Sequence, residues 1–452
     1  MTSRSKLAGK RDSFFLESAS TLATQIVLIA ISVVGGAMVA RILGPELKGK
    51  AALIDLLAHC GFMFFSLGLG ASFSFAIAKD KYRNSQIVSA AIVSGVILWL
   101  IGVSAFTLSW NLHRSIWSGL PINFLVIGAL LALNYILINY GTRILIGQGK
   151  INEVNAASLI KALVNFSLVV IAVWYFDLGL AGLLVGLLAS TVVQIVTIGW
   201  LTREDVHFDP FWSGDFIAQN LTYGLKSHAL LVINFLNYRV DLALLKHFDG
   251  DFSVGIYSLA VGMAELMWLI PNSAVAPLFS RVATADAMDG CERTLRTVRF
   301  SILILTLMSV VGVFVGSPAI HLLYGKEFGD SYYPFLALLP GICLFPVFKL
   351  LTVDLAARGR PGIGTIASAI ALLINVGANC WLIPRLGVVG AGLATSISYL
   401  CMSTVVLALF MRINKRSLRE ILWLNDSDRK LIWGILKSAY KRVRDLVAGA
   451  RG

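Results

Sequence analysis

Apolar stretches of about 18–27 residues return roughly a dozen times along this chain of 452 residues, separated by short polar connections. A bilayer core of about 30 Å takes roughly 20 apolar residues per spanning helix. The pattern predicts helices over residues 14–40, 51–78, 86–110, 120–140, 156–176, 178–200, 221–247, 253–279, 299–318, 332–356, 363–383 and 387–411. The expected fold class is therefore an all-α polytopic membrane protein with twelve transmembrane helices. The run from Ser18 to Ala40 is too long for a signal-peptide core, and Ala40-Arg41-Ile42 is a poor cleavage site, so it reads as a retained first helix.

The pattern also repeats. Shifted by 210 residues, Gly149-Lys150 falls on Gly359-Arg360, Ala157-Ser158 on Ala367-Ser368, Leu163 on Leu373, Asn165 on Asn375, and Ala181-Gly182-Leu183 on Ala391-Gly392-Leu393. Helices 1–2 and 7–8 are each joined by a glycine-bearing polar turn, Leu43-Gly44-Pro45-Glu46 and Phe248-Asp249-Gly250-Asp251. Six helices per half makes a parallel repeat, and such halves pack as two bundles facing a central cavity. The expected organisation is an N-terminal lobe (1–202), a linker (203–220), a C-terminal lobe (221–412) and a basic amphipathic tail (413–452). The repeat ends before the tail, so the tail is expected to stand outside the transport machinery.

Composition sharpens this. With 57% hydrophobic and 14% charged residues, the chain has too much apolar surface for a water-soluble core. The net charge of +13 does not point to nucleic acid, because most of the 38 Lys and Arg fall in alternate connections. That is the positive-inside pattern, with both termini in the cytoplasm. Arg41, Lys48 and Lys50 run against it. The five cysteines form no CxxC pair, and no His/Cys spacing suggests a metal. There is no nucleophile elbow, P-loop or HExxH, so no catalytic residue and no organic cofactor are expected. In the tail, Leu431, Ile435, Val443 and Leu446-Val447 stand near helical spacing among Lys437, Lys441, Arg442 and Arg444, with Trp433 and Tyr440 interleaved. This reads as an interfacial helix over 427–447 on an anionic leaflet.

Several motifs occur in order: Ala40-Arg41-Ile42-Leu43-Gly44-Pro45-Glu46, Asn237-Tyr238-Arg239-Val240-Asp241, Val254-Gly255-Ile256-Tyr257, Pro277-Leu278-Phe279-Ser280, Leu323-Tyr324-Gly325-Lys326-Glu327-Phe328, Ala356-Ala357-Arg358-Gly359-Arg360-Pro361 and Leu382-Ile383-Pro384-Arg385-Leu386-Gly387. Together they resemble the Wzx-type polysaccharide flippases, a branch of the multidrug/oligosaccharidyl-lipid/polysaccharide exporter superfamily, over about residues 13–412. The resemblance implies a transporter of the cytoplasmic (inner) membrane. Its two six-helix lobes would form a V that moves undecaprenyl-diphosphate-linked oligosaccharide outward by alternating access. The pathway served would be O-antigen, exopolysaccharide or capsule synthesis. Beyond the substrate and the bilayer, a polysaccharide polymerase and chain-length machinery are candidate partners. Two alternatives stay open: an ion-coupled multidrug exporter of the same superfamily, and a membrane-embedded glycan enzyme.

Charges inside spans are costly and need a partner or a wet cavity. Arg239, deep in predicted helix 7, is read either as a cavity group for the diphosphate or as a gate paired with Asp241 or Asp55. Lys226, Lys161 and Lys349 either snorkel to headgroups or form a cationic wall for an anionic headgroup. Asn165 and Asn375 hold matching places, as interhelical glue or as sugar-hydroxyl partners. Asp55, its i+4 neighbour His59, and Glu265 are candidates for a coupling H+ or Na+, or for structural pairing; membrane potential is the other energy source considered. Pro271 and Pro277 are expected to bend helix 8.

Overall fold

The computed structural model describes residues 3–80, 82–112, 122–205, 209, 214–284, 287–431, 433–434 and 437–438. The helices are α1 (Ser3–Phe65), α2 (Leu69–Ala78), α3 (Asn84–Leu112), α4 (Ile122–Gly147), α5 (Ile151–Val169), α6 (Gly179–Leu201), α7 (Gly214–Leu266), α8 (Leu269–Thr284), α9 (Ala287–Tyr324), α10 (Tyr332–Ala357), α11 (Gly362–Asn414) and α12 (Leu418–Leu422). Among the described residues, 9 helical segments are long and apolar enough to cross a bilayer. Three of the longest are not continuous: α1, α7 and α11 each carry a non-helical glycine, at Gly44, Gly250 and Gly387. Apolar side chains face outward, with Leu373 77% and Phe314 76% exposed. That is the reverse of a water-soluble surface and suits hydrocarbon as solvent.

The chain forms two compact units. The first comprises Met1–Ala260, Ser317–Pro334 and Asn379–Ala391. Its core packs α2, α3 and α4 around Phe73, Ile87, Ala91, Ile136 and Tyr140. Phe73 meets Tyr140 edge-on at 5.4 Å. The helix expected over 51–78 is in fact two, α1 ending at Phe65 and α2 beginning at Leu69. Leu67 and Gly68 between them take left-handed backbone. The Tyr140 hydroxyl donates to the Ser66 carbonyl at 2.7 Å, which satisfies a group the break frees. Apolar periodicity runs straight through this break, and only the cross-helix packing shows it.

The second unit comprises Val261–Gly316, Phe335–Ala378 and Gly392–Gly452. Trp268, Phe345 and Tyr399 form its aromatic centre, with ring centroids 4.7 Å, 5.3 Å and 5.8 Å apart. α10 and α11 approach closely at Gly341, where an added Cβ would lie 2.7 Å from Ser396 Cα. Small residues let backbones approach in this way, and Ser403 Oγ adds an interhelical bond to the Leu344 carbonyl at 2.9 Å. The helix expected over 253–279 also breaks, at Met267–Trp268. Pro271 cannot donate to the Met267 carbonyl, so the interruption falls one turn before it. Pro277, also expected to bend the chain, lies inside α8.

The duplication is visible in the backbone. The α4 and α10 ends carry the same cap. Lys150 N donates to Leu145 O at 2.9 Å and Gly149 N to Ile146 O at 3.0 Å; Arg360 N donates to Leu355 O at 2.8 Å and Gly359 N to Ala356 O at 3.0 Å. Gly149 (φ 77°) and Gly359 (φ 76°) supply the left-handed residue. The repeated Gly-Lys/Arg pair is thus a Schellman cap used twice.

The tail is tied down. Residues 415–431 follow α11 as α12 and the start of a further helix at 426. Ser417 and Glu420 form a capping box on α12. Asn425 caps the next helix, accepting from Asp428 N at 2.8 Å. Residues 439–447 of the expected tail helix lie outside the described residues.

Candidate functional site

The first unit holds a cavity of about 1060 Å³ between α1, α4, α5 and α6. Its walls are mostly apolar, but Lys48, Arg143 and Lys161 bring cations into it, against one carboxylate, Asp55, among the described residues. His59, Tyr135, Asn139, Asn165 and Gln194 supply neutral or switchable polar groups. The chain places them there through helix geometry. Asp55 and His59 share a face of α1 one turn apart, and Lys161 and Asn165 share a face of α5 in the same way.

Asp55 is the most connected of these. The Tyr135 hydroxyl donates to its Oδ1 at 2.8 Å, and His59 Nδ1 lies 3.3 Å from the same oxygen. The His59 and Tyr135 rings meet at 4.5 Å. Lys161 is close enough for its charge to act on Asp55, and Arg239 close enough to act on His59. Asn165 accepts from Ser190 Oγ at 3.3 Å. The site therefore has a carboxylate, an imidazole and a phenol in contact, beside cations without an equal number of anions.

The sequence-expected residues divide as follows. Lys161, Asn165, Asp55 and His59 line one cavity. Arg239 is half-buried on α7, donates to the Tyr238 carbonyl at 3.1 Å, and is not part of the cavity lining. Asp241 is buried in the same unit, accepting from the Tyr257 hydroxyl at 2.6 Å and from Leu242 N at 2.8 Å. Lys349, Asn375 and Glu265 belong to the other unit, where Asn375 is fully buried and the other two are half-buried. The side chain of Lys226 lies outside the described residues.

Sequence reasoning missed Lys48, Arg143, Tyr135, Asn139 and Gln194. Arg143 was missed because predicted helix 4 stops at 140, whereas α4 runs to Gly147; the apolar run Ile144-Leu145-Ile146 beyond it was the available signal. Lys48 read as a connection residue because Gly44-Pro45 looked like the end of a span. The helix resumes at Pro45, which tolerates a first-turn position, and Lys48 follows one turn later. The cations that ran against the charge pattern are now accounted for. Lys48 lines the cavity, and Lys50 pairs with Glu46 at 2.7 Å. Arg41 donates from Nε to the Leu323 carbonyl at 2.8 Å and from Nη2 to the Leu322 carbonyl, at the C-terminal end of α9.

A second pseudo-symmetric feature lies in this unit. A Cβ built on Gly49 would sit 2.9 Å from the Asp251 carbonyl carbon and closer still to its oxygen. A Cβ on Gly255 would sit 2.6 Å from the Pro45 carbonyl carbon, again with the oxygen closer. The two contacts are equivalent under a shift of 206 residues, which carries Pro45 to Asp251 and Gly49 to Gly255. The kinked segments of α1 and α7 thus clasp each other backbone to backbone. Lys246 pairs with Asp251 at 2.6 Å beside the clasp.

Among solved structures the same fold recurs in transporters. An inward-facing multidrug resistance MATE family transporter of the MOP superfamily aligns with TM-score 0.69 and 19% identity over 85% of this chain and 95% of that one. Lipid II flippase MurJ in an inward closed conformation aligns with TM-score 0.74 and 15% identity over 90% and 89%. The fold is one shared with polytopic helical transporters. More particularly, the chain belongs to the polysaccharide biosynthesis protein family, whose model matches residues 15–284. Its relatives include the amylovoran biosynthesis protein AmsL of Erwinia amylovora, 26% identical over 72% of this chain and 83% of that protein. The lipopolysaccharide biosynthesis protein WzxC of Escherichia coli is 27% identical over 59% and 54%. The probable low-salt glycan biosynthesis flippase Agl15 of Haloferax volcanii is 25% identical over 35% of each.

Proposed function

We propose that this protein is a flippase that carries an undecaprenyl-diphosphate-linked oligosaccharide across the cytoplasmic membrane by alternating access, for polysaccharide synthesis. The cationic cavity carries this reading. A diphosphate about 4 Å from one lysine, at an effective dielectric near 20, interacts by roughly 4 kcal/mol per charge pair before desolvation. Lys48, Arg143 and Lys161 offer that attraction from three helices, and the neighbouring amides suit sugar hydroxyls. The names of the relatives, a flippase among them, agree with it. Twelve spans in two six-helix lobes (1–202 and 221–412, joined by 203–220) fit the chain, since the glycines at 44, 250 and 387 divide the three longest apolar helices. Both termini are then cytoplasmic. Asp55, with His59 and Tyr135, is the proposed site for a coupling H+ or Na+. Arg239, Lys226, Lys349 and Asn375 remain proposed substrate contacts of the working cycle, and Asp241 and Glu265 proposed gate or coupling groups.

The test is lipid-linked oligosaccharide reaching the outer leaflet of cells with matched protein levels. Lys161→Ala combined with Arg143→Ala should lower export more than tenfold, and Lys161→Arg should keep most of it. Wild-type export by the doubly neutralised variant would overturn the cavity's role.

A further inference from the structure

The C-terminal segment carries an arrangement that the transport reading does not use. Arg299, on α9, is 2% exposed. Its Nη2 donates to Glu292 Oε1 at 2.8 Å, its Nη1 to the Glu420 carbonyl, and its Nε lies 2.6 Å from Asp428 Oδ2. Asp428 is itself fully buried and takes a second arginine, Arg296, at 3.1 Å; Arg296 Nη2 also donates to Ser427 Oγ at 2.9 Å. A buried charge-assisted network of this kind holds one geometry, because every alternative strands a charge. Both short helices of the segment start at caps that the same network touches, Ser417–Glu420 and Asn425–Asp428. The segment is a bracket plugged into α9.

The other side of the bracket has opposite chemistry. Leu418, Trp423, Leu431 and Trp433 are exposed, the tryptophans at 69% and 71%. Lys415, Arg419, Lys430 and Lys437 are exposed among them. The acidic residues nearby are engaged: Glu420 with Arg416, Asp426 with Arg429, and Asp428 with α9. Exposed tryptophan is unfavourable against water, and interleaved with exposed cations it suits a headgroup region of negative charge.

We propose that residues 415–431, with Trp433 and Lys437, form a docking surface for anionic phospholipid headgroups, and that the buried Arg299–Asp428 contact transmits that docking to the first turns of α9. The bracket is then a part of the transporter that senses leaflet charge. The inference stands whatever the cargo is, since it uses no cavity residue.

The full-length protein is placed in nanodiscs of phosphatidylcholine, with or without phosphatidylglycerol as the minor lipid. Hydrogen exchange is followed at 418–431 and at 290–300, with trypsin cleavage at the exposed Arg419, which every variant keeps, as a second readout. Phosphatidylglycerol should slow both by roughly tenfold or more, as expected for several cations near a charged surface. Lys430→Gln with Lys437→Gln, exposed changes that leave the network intact, should remove most of that protection at both places. Asp428→Asn should keep lipid protection of the segment while disconnecting 290–300. Equal exchange in the two lipids would overturn the docking surface. Protection confined to 418–431 in the wild type would overturn the transmission to α9. Should Asp428→Asn not fold, the lysine pair and the wild-type comparison decide both points.

Discussion

The backbone clasp at Gly49 and Gly255 gives the most demanding prediction. Carbon atoms in ordinary contact lie about 3.5–4.0 Å apart. The added methyl of Gly49→Ala would start 2.9 Å from the Asp251 carbonyl carbon, and that of Gly255→Ala 2.6 Å from that of Pro45. The obstacle in each case is backbone, which cannot rotate away as a side chain does. The kinked segments must separate by about 1 Å, at a cost on the scale of overpacking, about 1–3 kcal/mol. Since about 1.4 kcal/mol is a factor of ten, either alanine should shift the balance roughly five- to hundredfold toward conformers in which the segments have parted. A transporter that must close this junction in each cycle should then slow by a similar factor. The two variants should resemble each other, and the double variant should cost less than their sum, because both break one interface. Gly199→Ala is the control, since nothing lies within 4 Å of its Cβ position. Spin labels at Ile42→Cys and Phe248→Cys, in a protein whose native cysteines are replaced, report the separation. An unchanged distance distribution with unchanged export, in both alanine variants, would refute the reasoning.

Two further outcomes follow from single contacts. Arg41→Gln removes a cation from the C-terminal carbonyls of α9, an exposed interaction of about 1 kcal/mol, so amides of 317–324 should exchange about fivefold faster; no change would assign those bonds no weight. The Glu420 carboxyl is held below its usual range by the Ser417 hydroxyl first and by Arg416 second. A depressed carboxyl stabilises the fold above its ordinary pKa, about 4.3, and loses that contribution as pH falls through the folded value. The α12 turn should therefore loosen on acidification, seen as exchange at 417–422 corrected for the intrinsic rate. Glu420→Gln should flatten that dependence, and an acid-insensitive wild-type turn would refute it.

The spans were legible because lipid-facing helices announce themselves by composition alone, and outward residues such as Leu373 obey the same rule as inward ones. Interruptions were less so. The Leu67–Gly68 break leaves the apolar count unchanged, and it depends on Tyr140, 74 residues away in sequence, for its hydrogen bond. Four cavity residues, Lys161, Asn165, Asp55 and His59, could be found because a polar group at helical spacing inside a span is conspicuous. Tyr135 and Gln194 were not, since a tyrosine or glutamine among apolar neighbours has many uses, and only the third dimension shows which group it faces. The tail's tie to α9 was hidden for a different reason. Asp428, one acid in a basic stretch, holds the segment to α9, and no local pattern announces that contact.

The duplication shows where such reading gains and where it stops. Residues that the two halves share for local reasons, such as Gly149 and Gly359 in their caps, match in sequence and in φ, because a left-handed cap constrains one residue by itself. Gly49 and Gly255 match for a different reason. Each is small because the other half's carbonyl, at Asp251 or Pro45, occupies the space its side chain would need. That requirement belongs to a pair of segments 206 residues apart. The repeat pointed to the equivalence of the two turns, but their backbone contact is a property of the fold. The contact lies within the first unit, between the kinked segments of α1 and α7. A junction that fits only when both positions are glycine leaves no room for a side chain on either segment.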